Sequence, residues 1–572
     1  MADPQLVQDS KQDSSKPADC YSLGATLQRC SLPAAAAWAG LAPLARLQQQ
    51  LASCISLADL LLRKLRGCVG DSAIVTEMQV AVILAKMELV GVGIDPRHLL
   101  GHKAALKQRM AAISTRAQQL AGGPFNLASS SQLAKVLYSD LGLPAPTGTG
   151  ARGTAKTHLP TDEASLKQLQ LATGHELPGL VLEYRSKQNA VSKYFDADWV
   201  QRAARQGAAQ AAAAGGRPVV VDLRCCWNQT NTATGRLSSC SPNLQAVTKY
   251  SITAQQQQQP DAASFSIRDV FVARPGYVLL SADYSQVELR LLAHFSGDRL
   301  LQQLLSQSGP GGDVFSLIAA AWLQQGAAGP SGCGPAGVEP ALRERAKRVT
   351  YGIIYGVSAY GLAGQLQEQG VDQDKAQRLI DSFLDRFPGV QQYMAACQSS
   401  AQSAGAVRTL LQRVRPIPGL SSRQFQERQA AQRKVVNSII QGSAADLAKL
   451  AMCAWDAWAE SSAAAAVATT PTTAYQGNSG TATVSTLGAS TRAAGPCARL
   501  IGQIHDELLF EVEAADACKG PGGELQQPGQ ALLHVAGVVR RVMEGAAPQL
   551  DVPLPVKLSW GSRWGSMAAL EV

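Results

Sequence analysis

YVLLSADYS, residues 277–285, decides how this chain is read. Six apolar or aromatic side chains in nine positions read as a buried strand. Asp283 interrupts that run near its end. A second run, LIGQIHDELLFEVE (500–513), is interrupted by Asp506 and Glu507. A carboxylate in a buried strand is costly unless its charge is compensated. Two readings stand. Each acid can sit at an edge facing solvent, or the two strands can be neighbours whose acids converge on cations. Oxygen ligands with retained waters suit Mg²⁺. Two such ions about 4 Å apart can activate a hydroxyl and steady a leaving group.

Working outward, strand-like runs recur at 219–227 (VVVDLRCCW) and 555–560 (PVKLSW). Helical patterns fill 286–307, 341–355, 372–403 and 423–460, and further helices are expected at 33–70, 97–120 and 162–205. Residues 77–94 read as one apolar helix that stops at Gly91 and Gly93. The pattern is α+β, one sheet with helices around it. Residues 1–20 and 461–496 are polar or small and are expected to be disordered. Residues 144–160 read as a loop, with short inserts at 206–216 and 326–340.

Composition bounds the function. The chain has 572 residues, 46% of them hydrophobic, and a formal charge of +9. That length implies several structural units, and the charge is compatible with a polyanionic partner. No apolar run of about 18 residues occurs, so no membrane span is expected. The twelve cysteines include no CxxC and no zinc-like spacing, and adjacent Cys225 and Cys226 read as reduced, buried thiols.

A further pattern lies in LRERAKRVTYGIIYG (342–356), where Arg343, Lys347, Tyr351 and Tyr355 recur every four residues. On a helix they share one slowly drifting face. Two cations followed by two rings could grip phosphates and a base. They could equally be a solvated basic end joined to a half-buried aromatic stripe.

Five stretches, in this order, resemble motifs of the family A DNA polymerases: TATGRLSSCSPNLQ (232–245), SADYSQVELRLLAH (281–294), RERAKRVTYGIIYG (343–356), RKVVNSIIQGSAADLAK (433–449) and QIHDELLFEV (503–512). The resemblance runs from about Glu77 to the C-terminal LPVKLSWGSRWG. It implies a right-hand fold, with an antiparallel palm sheet, helical fingers and thumb, and a vestigial exonuclease-like segment. The implied divisions are a remnant of that segment with the helix that follows it (21–96), thumb (97–220), palm (221–310 and 430–572) and fingers (311–429).

The implied activity is DNA-directed DNA synthesis from a primer, with primer-template DNA and dNTPs as partners, two Mg²⁺ ions as cofactors and a monomeric chain. Asp283 and Asp506 are implied metal acids, aided by the Tyr284 carbonyl, with Glu507 the neighbouring catalytic acid. Arg343 and Lys347 map onto phosphate contacts, Tyr351 and Tyr355 onto the rings at the nascent pair, Gln286 onto a contact to that pair, and Glu288 onto the steric gate against ribose. Arg236, Asn243, Gln245, Arg433, Asn437, Gln441 and His505 match primer-template contacts.

Tyr351, Phe315 and an insert before the last motif resemble the polymerase theta branch, which implies a repair role and a nuclear location. The alternative is a bacterial or organellar polymerase-I-like enzyme. A single-subunit RNA polymerase is disfavoured by Glu288, and an inactive binding module by the full set of acids and cations. Proofreading is not expected, since Asp59 and Asp71 are the only acids in 21–76 and neither lies in a DxE or YxxxD pattern.

Overall fold

The computed structural model describes residues 71–572, apart from 146–158, 214, 216–218, 248–250, 253–264, 309–311, 324–337, 367–368, 469–497, 515–517 and 520–524. The expectations for 1–70, for most of 144–160 and 461–496, and for most of 326–340 lie outside the described residues.

The chain enters through α1 (Asp71–Val90). This helix ends sooner than its apolar composition suggests. Gly91 takes φ +69° and Val92–Ile94 becomes a strand, β1. A Cβ on Gly91 would stand 2.9 Å from the Leu223 carbonyl oxygen, so the turn needs glycine for both space and conformation. Helix α2 (Pro96–Ala121) starts on the Asp95 side chain, which accepts from the Arg97 and His98 amides, and stops at Gly122 in the left-handed region. Helices α3 (Glu163–Thr173) and α4 (Glu176–Ala190) pack on α2 around a core of their own that includes Ile113, Leu137, Leu166 and Val181. This second core falls within the segment expected to be the thumb.

Helix α5 (Asp198–Ala213) runs through most of the expected 206–216 insertion. Alanine is the best helix former, and Gly207 lies in this helix where a Cβ would meet the Pro96 ring. The run 219–227 also differs from expectation. It forms two short strands, β2 (Val221–Leu223), which pairs with β1, and β3 (Cys226–Asn228), which pairs with β4 (Ser238–Cys240). Neither joins the main sheet.

That sheet is built on β5 (Tyr277–Tyr284). From β5 the chain continues into helices α6 (Val287–Ser296), α7 (Arg299–Gln307), α8 (Val314–Leu323), α9 (Pro340–Ile354), α10 (Gln373–Arg386) and α11 (Pro388–Ala404). After the hairpin β6 (Ala406–Arg408) and β7 (Val414–Pro416) comes α12, 44 residues from Phe425 to Ala468, which carries helix into the first part of the expected 461–496 insert.

Residues 500–513, expected as one strand, are a hairpin of β8 (Ala498–Ile504) and β9 (Glu507–Glu513). Helix α13 (Gln530–Glu544), β10 (Val556–Gly561) and β11 (Ala568–Ala569) complete the chain. The sheet order is β8-β9-β5-β10-β11, and every neighbouring pair is antiparallel. The central strand carries both flanking ladders, which is why 277–285 is apolar almost throughout.

Two charged groups are locked into this frame. Glu511 of β9 is fully buried and accepts from the Arg274 amide at 2.8 Å and from its guanidinium, which also holds Asp222 at 2.8 Å. Glu77 of α1 meets Arg413 and Lys449 at 2.5 Å or closer, and Arg413 also pairs with buried Asp446. Such pairs are tolerated because each buried charge has a counter-charge. Among the described residues no helix is long and apolar enough to cross a membrane.

Candidate active site

Register places the acids. Asp283 lies opposite Glu507 on β9 and opposite Lys557 on β10. Directly paired antiparallel residues share a face of the sheet, so the expectation that the two acid-bearing strands are neighbours holds. Asp506 is not inside a strand. It occupies the two-residue turn after β8, where His505 adopts φ +60°. Histidine is among the residues that tolerate this region best. The Tyr284 amide donates to the Asp506 carbonyl at 3.3 Å, which fixes the turn against the end of β5. Asp283, from the second of the five stretches, and Asp506, from the fifth, thus come together where the end of β5 meets the β8–β9 turn.

The charge here is under-compensated. Burial, with Glu288 and Glu507 adding to it, pushes the Asp506 carboxyl up to about 6, while its own backbone amide and Arg236 pull the other way. Glu507 is in a different position. Its carboxylate accepts from the Ser281 hydroxyl at 2.7 Å, the Trp564 indole at 2.8 Å and Arg268 at 3.2 Å, and the Arg268 guanidinium lies 3.9 Å over the Trp564 ring. Three donors hold Glu507 in place beside Asp283, so it contributes charge from a fixed position.

Glu288 sits buried in the first turn of α6 and ties the β3–β4 turn to the end of α9. One oxygen accepts from Arg236 at 2.5 Å and the other from the Tyr355 hydroxyl at 2.7 Å. The Tyr355 and Tyr351 rings stack, 5.8 Å apart and 13° from parallel, and Phe315 packs 5.6 Å from Tyr351. Burial and the nearby acids Glu288, Asp506 and Asp283 push the Tyr351 phenol up to about 12. The four-residue recurrence is therefore one helix line, with its aromatic end at the acids. At its basic end Arg343 meets Asp313 at 2.5 Å and Lys347 lies 3.8 Å from Glu344, both cations on partly exposed side chains. Gln286 precedes α6 at φ +48°, and its carbonyl accepts from the Leu289 and Arg290 amides.

The residues matched to primer-template contacts divide. Arg236 is engaged by Glu288. Asn243 caps a short turn through the Ala246 amide. The Gln245 amide donates to the Leu237 carbonyl at 2.9 Å and the Gln503 carbonyl at 3.3 Å, and accepts from the Ser239 amide at 3.0 Å. These three build the scaffold that joins the β3–β4 hairpin to β8. Arg433, Asn437 and Gln441 lie four residues apart on α12, hence on one face. Arg433 is exposed, and the buried Asn437 Oδ1 has no hydrogen-bond partner among the described residues. Gly356 at φ +64° lets the end of α9 close on α12, because a Cβ there would stand 2.6 Å from the Arg433 carbonyl oxygen. His505 is exposed at its turn.

Motif reading alone did not find Ser281, Arg268 and Trp564 around Glu507, or Asp313 beside Arg343. It also missed Arg290, fully buried in α6, whose guanidinium donates to the carbonyls of Ser285, Leu305 and Pro553 and to Ser308. Arg290 fastens the end of β5 to the chain behind it. An arginine in the middle of an apolar helical run was the one available signal.

Asp283 and Asp506 fit a divalent cation. Both are hard oxygen donors, and Asp506 lacks a full counter-charge. Tyr284 buries its side chain, whose hydroxyl donates to the Met543 carbonyl at 2.7 Å, so a cation would meet its backbone carbonyl. Among the described residues no three His, Cys, Asp or Glu side chains form a cation cage by themselves. Two carboxylates leave positions for water and phosphate oxygens, as Mg²⁺ prefers.

The sequence pattern described as DNA polymerase family A matches residues 97–566. "DNA polymerase I, thermostable" of Thermus filiformis is 34% identical over 492 residues, covering 85% of this chain and 47% of that protein. DNA polymerase I of Pseudomonas aeruginosa is 33% identical over 493 residues, covering 85% and 43%. The chain spans about half the length of the curated relatives it matches. The POL domain of Pol1 from M. smegmatis, solved in complex with DNA primer-template and dNTP, superposes with a TM-score of 0.67 at 29% identity, covering 95% of this chain and 79% of that one. Asp283 at the end of β5, Asp506 in the adjoining turn, the helix line of α9 beside them and these likenesses lead to one conclusion: the chain belongs to DNA polymerase family A.

Proposed function

We propose that the chain is a DNA-directed DNA polymerase that adds dNTPs to a primer 3′ end, acting as a monomer. The observation that carries this is the meeting of Asp283 and Asp506 beneath Glu288 and the Tyr351–Tyr355 stack. Magnesium ions held by Asp283, Asp506 and the Tyr284 carbonyl would promote deprotonation of the primer hydroxyl and neutralise the departing pyrophosphate. The chain's own residues do the rest. Arg343 and Lys347 draw the triphosphate to the helix line. The stacked tyrosines face the base. Glu288 fills the space a ribose 2′-hydroxyl would need.

The test is primer extension with Mg²⁺, offering dNTPs or rNTPs, with Asp283→Ala and Asp506→Ala alongside. Each variant is expected to lose extension by about 10²–10³-fold or more while still binding primer-template, since duplex affinity rests on basic residues. Preferred use of rNTPs would favour an RNA polymerase. Binding without extension by the parent chain would favour an inactive module.

A theta-like repair role with a nuclear location is supported by Tyr351, by its contact with Phe315 and by the long stretch between α12 and β8. The bacterial polymerase I relatives support the alternative, a polymerase-I-like enzyme with an organellar location. Primer extension on intact, lesion-bearing and partly annealed single-stranded templates tests the repair role. Imaging of a tagged full-length chain tests the location.

A further inference from the structure

Of the adjacent pair read as buried, reduced thiols, Cys225 is buried, with its thiol pushed up to about 12 by burial. Its neighbour differs. Cys226 on β3 stands directly opposite Cys240 on β4, next to the pairs Trp227–Ser239 and Asn228–Ser238. Trp227 and Ser239 point into the core, so alternation turns Cys226 and Cys240 outward together, and both are exposed. Directly opposed residues of an antiparallel pair have Cα atoms about 4.5–5.5 Å apart, inside the range of about 4.4–6.8 Å that a disulfide spans. The two thiols are within hydrogen-bonding reach of each other, and the Asn228 amide lies 3.5 Å from the Cys240 sulfur. Cys397 and Cys453 sit on α11 and α12, away from this hairpin.

We propose that Cys226 and Cys240 form a reversible disulfide site that takes a small-molecule disulfide such as glutathione disulfide as its oxidant, and that the bond staples the β3–β4 hairpin. One cysteine thiolate attacks a sulfur of glutathione disulfide, forming a mixed disulfide and expelling one glutathione thiolate. The second cysteine thiolate then attacks the protein-bound sulfur and expels the other. Two protein thiols are oxidised, one glutathione disulfide is reduced to two glutathione thiols, and the two protons pass from the cysteines to the leaving thiolates. Excess glutathione runs the sequence backwards. The hairpin matters because the turn it closes presents Arg236 to Glu288, and Cys240 leads directly to Asn243 and Gln245. The bond would therefore stiffen one wall of the site while leaving its acids untouched.

The test uses the full chain, reduced and then equilibrated at about pH 8 against mixtures of glutathione and glutathione disulfide. Samples are acid-quenched, alkylated after unfolding and mapped by mass spectrometry. A linked Cys226–Cys240 peptide should accumulate as the mixture becomes more oxidising, with Cys225 alkylated throughout. Cys226→Ser should abolish the internal bond and leave Cys240 as its glutathione adduct or as the alkylated thiol. In the oxidised chain, backbone amides of the hairpin ladder at Asn228 and Ser238 should exchange with solvent about tenfold more slowly. Glutathione adducts on both cysteines without an internal bond, or a Cys225–Cys240 bond, would overturn the pairing. Unchanged amide exchange despite the bond would overturn the staple.

Discussion

The Tyr355 hydroxyl donates a 2.7 Å hydrogen bond to Glu288, whose other oxygen takes Arg236 at 2.5 Å. A residue at the end of α9 is thus fastened to the first turn of the helix after Asp283, and the carboxylate expected to exclude ribose is fixed from two sides. Removing either donor loosens it. Tyr355→Phe should lower discrimination against ribonucleotides by roughly tenfold, since a hydrogen bond to a charged group contributes about 1.5–3 kcal/mol. Glu288→Ala should lower it further and slow ordinary synthesis. Competing dNTP and rNTP incorporation on one template measures both. An unchanged preference in Glu288→Ala would remove this carboxylate from the gate.

On the proposed function, Lys347 is assigned to the incoming nucleotide and not to the duplex. Lys347→Ala should raise the KM for dNTP by about tenfold to a hundredfold, as expected for losing a charged contact of about 1.5–3 kcal/mol. Primer-template affinity should hold. Steady-state kinetics beside a DNA-binding titration separates the two, and a change confined to duplex affinity would mean that the helix line faces another partner.

Asp506 strains the metal-free fold. Its carboxyl is raised to about 6, chiefly by burial, so the folded chain holds the proton more tightly than the unfolded one. The stability tied to that proton is fully present below the ordinary aspartate range and is lost as pH rises through about 6. Asp506→Asn should therefore raise Tm by about 1–3 °C at a pH near 8 in chelator, and change it little near pH 4. Thermal unfolding of both proteins at the two pH values checks this. A lower Tm for the variant near pH 8 would show that the carboxylate is stabilised in the metal-free protein.

Glu511 is structural. It is fully buried against Arg274, which also bonds Asp222 and the Gly91 carbonyl. Glu511→Ala leaves a guanidinium without its main counter-charge, and breaking a buried pair from one side costs about 3–5 kcal/mol. Denaturant unfolding should show that loss. A cost below about 1 kcal/mol would mean that Arg274 finds water or Asp222 sufficient.

Much of the site was legible in the sequence because its chemistry is local. Asp283, Asp506 and Glu507 stand out as acids inside apolar runs, whatever the fold. The spacing of Arg343, Lys347, Tyr351 and Tyr355 already requires one helix line, because helical period fixes direction along a single element. Apolar composition marked 277–285 as a buried strand before any partner strand was known.

What the tertiary structure decided is everything that depends on register between distant segments. No spacing rule places Asp506 in a turn whose carbonyl meets the Tyr284 amide, or sets Ser281, Trp564 and Arg268 around Glu507. The end of α1 was set by close packing, at the Leu223 carbonyl against Gly91, and Gly207 within α5 lets that low-complexity helix close on Pro96. Propensity alone does not see such contacts. The Cys226–Cys240 pair makes the point most simply. Fourteen positions apart in sequence, the two thiols face each other only because antiparallel register puts them opposite and strand alternation turns both outward.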